Sequence, residues 1–162
     1  AYLMLTTKSH SPAEKLEYTD GDFKLTIDYC RPYKKGRLIF GEKSEGALLP
    51  YGEYWRTGAN EATEVEFNKD ININGTSLPA GRYRFYTVPG KSNWTIAFNN
   101  ELGQWGYGEP DYDLDVLVLE MPSNDGSELI EQFSISATKT TENSMKLILA
   151  WDRTTVGISI NY

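Results

Sequence analysis

Apolar residues return at every second position in short runs, and this alternation restricts the chain to extended structure. Phe23, Leu25, Ile27 and Tyr29 alternate with Lys24, Thr26 and Asp28, giving one face for a core and one for water. Tyr83 and Phe85 alternate with Arg82 and Arg84, and Trp94, Ile96 and Phe98 make a third stripe. Phe133, Ile135 and Ala137 make another. Leu147, Leu149 and Trp151, then Val156, Ile158 and Ile160, make two more. Val116 to Leu119 is apolar throughout, the pattern of a central strand covered on both faces. Glu14 to Tyr18 and Glu64 to Phe67 are weaker stripes, and helical periodicity is scarce.

Turn residues punctuate these runs. Ile71-Asn72-Ile73 leads into Asn74-Gly75, a strong hairpin signal because a type I′ turn needs two residues that tolerate positive φ. Leu78-Pro79-Ala80-Gly81 opens the next strand, while Asp20-Gly21 and Asn124-Asp125-Gly126 mark further connections. The expected fold is all-β, an antiparallel β-sandwich or jelly roll of about ten short strands. Residues 13–162 read as one domain and residues 1–12 as a mobile N-terminal segment. For 162 residues, surface scaling buries about 69% of the extended chain's area, enough core to need no disulfide or metal.

Composition excludes several function classes. Sixteen basic against twenty-three acidic side chains leave a net charge of −7, which argues against nucleic acid as the main partner. The mostly apolar stretch around Val116 to Met121 stops after about six residues, far short of a membrane span. With one cysteine, Cys30, and one histidine, His10, no Cys/His zinc site can be built. A Ser-His-Asp triad could use only His10, in the mobile segment, and a general base needs fixed geometry. Asp70-x-Asn72-x-Asn74-Gly75 resembles half a calcium loop, but its twelfth position is Gly81, and the hairpin explains the same residues. Asp111, Asp113 and Asp115 read as a solvated loop, and Gly106-Tyr107-Gly108 lacks the spacing of a phosphate cradle. No metal or cofactor is expected.

The segment from Arg31 to Asn60 is the least strand-like, and a connection this long is often functional. It holds Arg31, Lys34, Lys35 and Arg37, then Pro50-Tyr51-Gly52-Glu53-Tyr54-Trp55-Arg56-Thr57-Gly58-Ala59-Asn60. Arginine offers a rigid donor fork for carboxylate, phosphate or hydroxyls, and Trp and Tyr offer stacking faces. Arg31, Arg37, Tyr51, Trp55, Arg56 and Asn60 are therefore the candidate ligand-binding residues. Trp55 and Tyr51 would form a wall, the arginines would donate, and Asn60 would orient the ligand. The structural alternative makes Trp55 a core anchor and pairs the arginines with Asp28 or nearby glutamates.

These motifs resemble a known family. Tyr29-Cys30-Arg31-Pro32, Gly36-Arg37-Leu38-Ile39-Phe40-Gly41 and Trp55-Arg56-Thr57-Gly58-Ala59-Asn60 are similar to those of the bacterial family called domain of unknown function 2911. So are Leu78-Pro79-Ala80-Gly81-Arg82-Tyr83, Trp94, Phe98-Asn99 and Leu149-Ala150-Trp151, and the likeness runs from about Ser11 to the C-terminus. It implies a β-rich, exported protein and names no activity. The family pattern has Ser where this chain has Cys30, so a hydroxyl there is not essential, which weakens a nucleophile at that position. Ala1 in place of a starting methionine fits a processed or a trimmed chain, in which any signal peptide would already be absent. The expected location is the bacterial periplasm or cell surface.

Three functions follow. The first is a non-catalytic binding module for a polar ligand such as a glycan or small anion. In the second, a structural or interaction protein, the Arg/Trp loop only locks the fold. The third is a hydrolase acting on saccharides, with Asp28, Glu53 and Glu61 as its candidate acids.

Overall fold

The computed structural model describes residues 10–162. Strand β2 (Phe23–Cys30) shows how the alternation is used, because Phe23, Leu25, Ile27 and Tyr29 all point into the core. It pairs antiparallel with β1 (Ala13–Asp20) around the turn at Gly21. On its other edge come β5 (Glu64–Phe67), β8 (Gly81–Val88) and β9 (Asn93–Asn99), each antiparallel to its neighbour. Both weak stripes are thus strands, their polar positions taken up by cross-strand pairing.

Strand β10 (Asp115–Lys139) joins the two halves of the sheet. Its first part pairs with β9, from Asp115 opposite Asn99 to Pro122 opposite Asn93. Its second part pairs with β11 (Ser144–Asn161), from Ser123 opposite Val156 to Lys139 opposite Met145. Beyond β11 lies the hairpin of β6 (Ile71–Ile73) and β7 (Thr76–Leu78). Asn74 and Gly75 at its tip both have positive φ, as a type I′ turn requires. The nine strands form one hydrogen-bonded sheet whose two halves share a single core. Phe23 stacks on Tyr162 at 3.9 Å, and Tyr29 meets Phe133 edge-on. At the centre, Trp55 packs against Phe40, Trp94, Phe133 and Trp151.

The all-β class is as expected, but strand lengths differ. Eleven strands are present among the described residues, and β10 and β11 are long. Asn124-Asp125-Gly126, expected as a connection, lies inside β10. The two stripes ending at Trp151 and Ile160 belong to the single strand β11. Odd-numbered residues face the core up to Trp151 and even-numbered ones from Val156 onward. A bulge accounts for the switch: Asp152 has φ +54°, and the register with β10 shifts there. Val116 to Leu119 is not covered on both faces, since Val116 is 41% and Val118 52% exposed.

The Arg31–Asn60 connection contains a short parallel pair, β3 (Phe40–Gly41) with β4 (Leu49–Pro50), a 3-10 turn at Lys43–Glu45, and single bridges from Tyr33 to Gln132 and from Trp55 to Thr87. Residues 1–9 of the segment expected to be mobile lie outside the described residues. Within the described part, the Pro12 carbonyl accepts from the Arg31 amide at 2.9 Å.

Candidate functional site

Trp55 to Ala62 follows a strained path. Thr57 and Asn60 have φ near +60°, which asparagine tolerates but which is a genuine outlier for the β-branched Thr57. Gly58 is needed for space, because a Cβ there would sit 2.9 Å from the Cys30 carbonyl oxygen. Hydrogen bonds hold the path in place. Trp55 and Thr87 exchange backbone bonds at 2.8 and 3.1 Å, and the Thr63 hydroxyl donates to the Thr57 carbonyl at 2.7 Å. The Trp55 indole N–H donates to the Gly58 carbonyl at 3.2 Å. Strain over-determined in this way is a feature of functional sites.

In this stretch every residue is buried except Arg56 and Glu61, which are half-buried. They face different cavities. Between them, Asn60–Ala62 pairs with Gln104–Gly106 through the bonds Gly106 N–H to Asn60 O (2.8 Å) and Ala62 N–H to Gln104 O (3.0 Å). This backbone strip is the common wall.

Arg56 lines a cavity of about 360 Å³ with Arg37, Tyr54, Trp55, Tyr107 and Trp151. Among the described residues no acidic side chain lines it. Burial pulls the Arg56 guanidinium below its ordinary value, and the groups that oppose this are the Tyr54 hydroxyl and the Cys30 thiol, not a carboxylate. Among the described residues Arg56 has no hydrogen bond or ion pair. Arg37 donates to the Tyr33 and Lys34 carbonyls and has no ion pair among the described residues. Two cations without an acidic partner among the described residues, one half-buried and one exposed, thus border one cavity in a protein of net charge −7. An anion placed there would accept charge-assisted bonds from a partly desolvated fork.

Gly106 and Tyr107 form the far side of this cavity. A Cβ on Gly106 would lie 2.6 Å from Arg56 Cδ, so the backbone closes directly onto the arginine stem. Tyr54 donates to the Gly106 carbonyl at 3.0 Å and accepts from Arg84 at 2.7 Å. Arg84 is 1% exposed, and it also donates to the Gly108 carbonyl at 2.7 Å. Its nearest carboxylate, Glu101, is 4.0 Å away, and its Nε is buried with no partner. Arg84 and Tyr54 therefore fasten the Gly106–Gly108 turn over the cavity. Sequence reasoning missed both, because the Arg82/Arg84 alternation marks a wet face until this turn covers it.

Of the six candidate residues, the cavity brings together Arg37, Trp55 and Arg56. Trp55 is 4% exposed and serves mainly as the core anchor of the structural alternative. Arg31 is also structural. It donates to the Phe133 carbonyl and the Ser134 hydroxyl and pairs with Glu14 at 3.2 Å. Tyr51 lies elsewhere, among Glu42, Glu45 and Asp125, and burial pushes its hydroxyl up. Asn60 is buried, with its side chain donating to the Ser11 carbonyl at 3.4 Å.

Of the three expected acids, Glu53 lies apart, whereas Asp28 and Glu61 share the second cavity. Glu53 pairs with Lys43 at 3.3 Å, and Asp28 binds Arg82 at 2.8 Å. Glu61 lines the second cavity with Asp28, Glu64, Arg82 and Trp105. The Cys30 thiol is 3.8 Å from Glu61 Oε2, whereas His10 contacts Lys35. The half calcium loop is committed to its hairpin: Asp70 accepts from the Ala80 amide and Asn72 from the Gly75 amide.

No curated protein matches the chain, and no solved structure does. One family model spans residues 11–160, covering the strained Trp55–Asn60 stretch, the Gly106 turn and all eleven strands but for the last residue of β11. By that match the chain belongs to the family described as protein of unknown function (DUF2911).

Proposed function

We propose that this chain is a binding module that takes a small anionic ligand in the Arg56 cavity. The observation that carries this reading is the half-buried Arg56 guanidinium, which faces the cavity with no acidic partner. The structural arginines Arg31 and Arg82 are paired with acids and Arg84 is hydrogen-bonded, whereas among the described residues Arg56 is neither. Among the described residues the lining offers aromatic walls and two cations, and no carboxylate, imidazole or thiol. The polar ligand of the sequence reading becomes a carboxylate- or phosphate-bearing one, acidic sugars included. Each charge-assisted bond would contribute about 1.5–3 kcal/mol when shielded from water. Export to the periplasm or cell surface remains part of the proposal, tested by fractionating the source cells.

Thermal melting with glucuronate, benzoate, inorganic phosphate and neutral glucose tests the site in wild type and Arg56→Met. A hundredfold excess over Kd stabilises by about 2.7 kcal/mol, roughly 5–11 °C for a domain of this size. The expected result is a shift with at least one anion, none with glucose, and loss of the shift in a variant that still folds. No shift with any anion, or a shift that survives the substitution, overturns the reading.

A further inference from the structure

The second cavity, about 720 Å³, lies on the other side of the shared strip and is built differently. Three of the four tryptophans, Trp55, Trp94 and Trp151, are 2–4% exposed, whereas Trp105 on this cavity is 39% exposed. Leaving an indole open to water forgoes burial that would stabilise the fold by up to about 3 kcal/mol. Trp105 is not on a loose tip either, because its backbone bridges Glu61 within the paired strip.

The polar groups around it are already oriented. Arg82 donates to Glu64 at 2.7 Å and to Asp28 at 2.8 Å, and Glu64 also accepts from the Gly103 amide at 2.8 Å. Glu14 accepts from the Tyr29 hydroxyl at 3.0 Å. A carboxylate has about four acceptor sites and a guanidinium five donors, so this lattice retains capacity of both kinds. Either charge on a ligand would meet its like, since acids and cations both line the space. A neutral ligand with many hydroxyls meets neither penalty. It can donate to the carboxylates, accept from Arg82, Lys15 or Gln104, and lay its apolar C–H face on the indole.

We propose that this cavity is a saccharide site with Trp105 as its platform, separate from the anion cavity and independent of it. Its volume suits a disaccharide, within the roughly 300–1,000 Å³ of small-ligand sites.

Trp105 supplies its own probe, because acrylamide reaches an exposed indole and not the three buried ones. Cellobiose, maltose, chitobiose, mannobiose and lactose are each tested at about 10 mM, a range suited to weak sites. At least one should lower the quenching constant about twofold by covering the ring. The same sugar should give titration heat that is absent with Trp105→Ala and partly restored with Trp105→Phe, which keeps an aromatic face. Failure of all five sugars to protect Trp105, or heat that persists in folded Trp105→Ala, overturns the proposal.

Discussion

Two cavities lie back to back across the strip formed by Asn60–Ala62 and Gln104–Gly106, and their charge is organised in opposite ways. On one side Arg56 and Arg37 face a space with no acid. On the other, Asp28 and Glu64 pair with Arg82, Asp28 also with Lys15, and Glu14 and Glu61 line the same space. Residues of one short stretch supply both, for Arg56 and Glu61 are five positions apart. Their neighbours' burial allows each side chain only one way out. An uncompensated charge on a wall selects a counter-charge, whereas a compensated lattice selects hydrogen-bonding capacity.

The sharpest test of this contrast uses the two tryptophans. Trp55→Ala should cost about 3–5 kcal/mol in urea unfolding, because it empties the aromatic centre of the core. Trp105→Ala should cost under about 1 kcal/mol, since its role lies at the cavity. Similar costs for both would break the distinction between core and platform.

Gly106→Ala acts on the strip itself. The new methyl would press on Arg56 Cδ and come within 3.0 Å of the Asn60 carbonyl oxygen. A loss of about 1–3 kcal/mol is expected from such overpacking, with anion-induced melting shifts reduced at the same time. A variant as stable and as responsive as wild type would show that the strip yields freely.

Arg82→Ala sharpens the account of the second cavity. Removing the fork leaves Asp28 and Glu64, which face each other across β2 and β5, without their shared cation. The pair is partly solvated, so a cost of about 1 kcal/mol is expected. That cost should shrink in molar salt, where the Debye length falls to about 3 Å. A salt-independent loss would point to lost packing of the arginine stem instead.

The smallest effect belongs to Arg56→Met. Burial lowers the guanidinium's pKa, so its charged form is less favourable folded than unfolded. That penalty is present at every pH where the folded arginine stays protonated, and it fades only as the pH rises through the folded value. The variant should therefore melt within a degree or two of wild type or slightly above it, evenly from about pH 5 to pH 9. A marked drop in melting temperature would favour the structural role for this loop.

Much of the sheet was legible in the residues. The β2 stripe, the Asn74-Gly75 hairpin and the Asp20-Gly21 turn rest on local rules of alternation and positive φ, and all are present. Asn124-Asp125-Gly126 misled because turn-forming residues also fit an irregular stretch of a long strand, where pairing with β11 holds them extended. The candidate site was legible as a segment but not as a set. Arg31, Tyr51 and Asn60 share composition and proximity with Arg56, yet their side chains turn to different surroundings. Trp105 and Gly106 gave no signal, since their importance comes from pairing with residues more than forty positions away.

By itself, the amino-acid sequence determined the all-β class, the inward face of each alternating strand and the segment that supplies most of the first cavity's lining. These follow from side-chain period and turn chemistry, which act over a few neighbouring residues. Only the tertiary structure decided which arginine is left without an acid, which tryptophan is left open, and that one stretch separates two cavities. Ion pairing and burial depend on what long-range contacts bring within a few ångströms, and no local pattern encodes those distances.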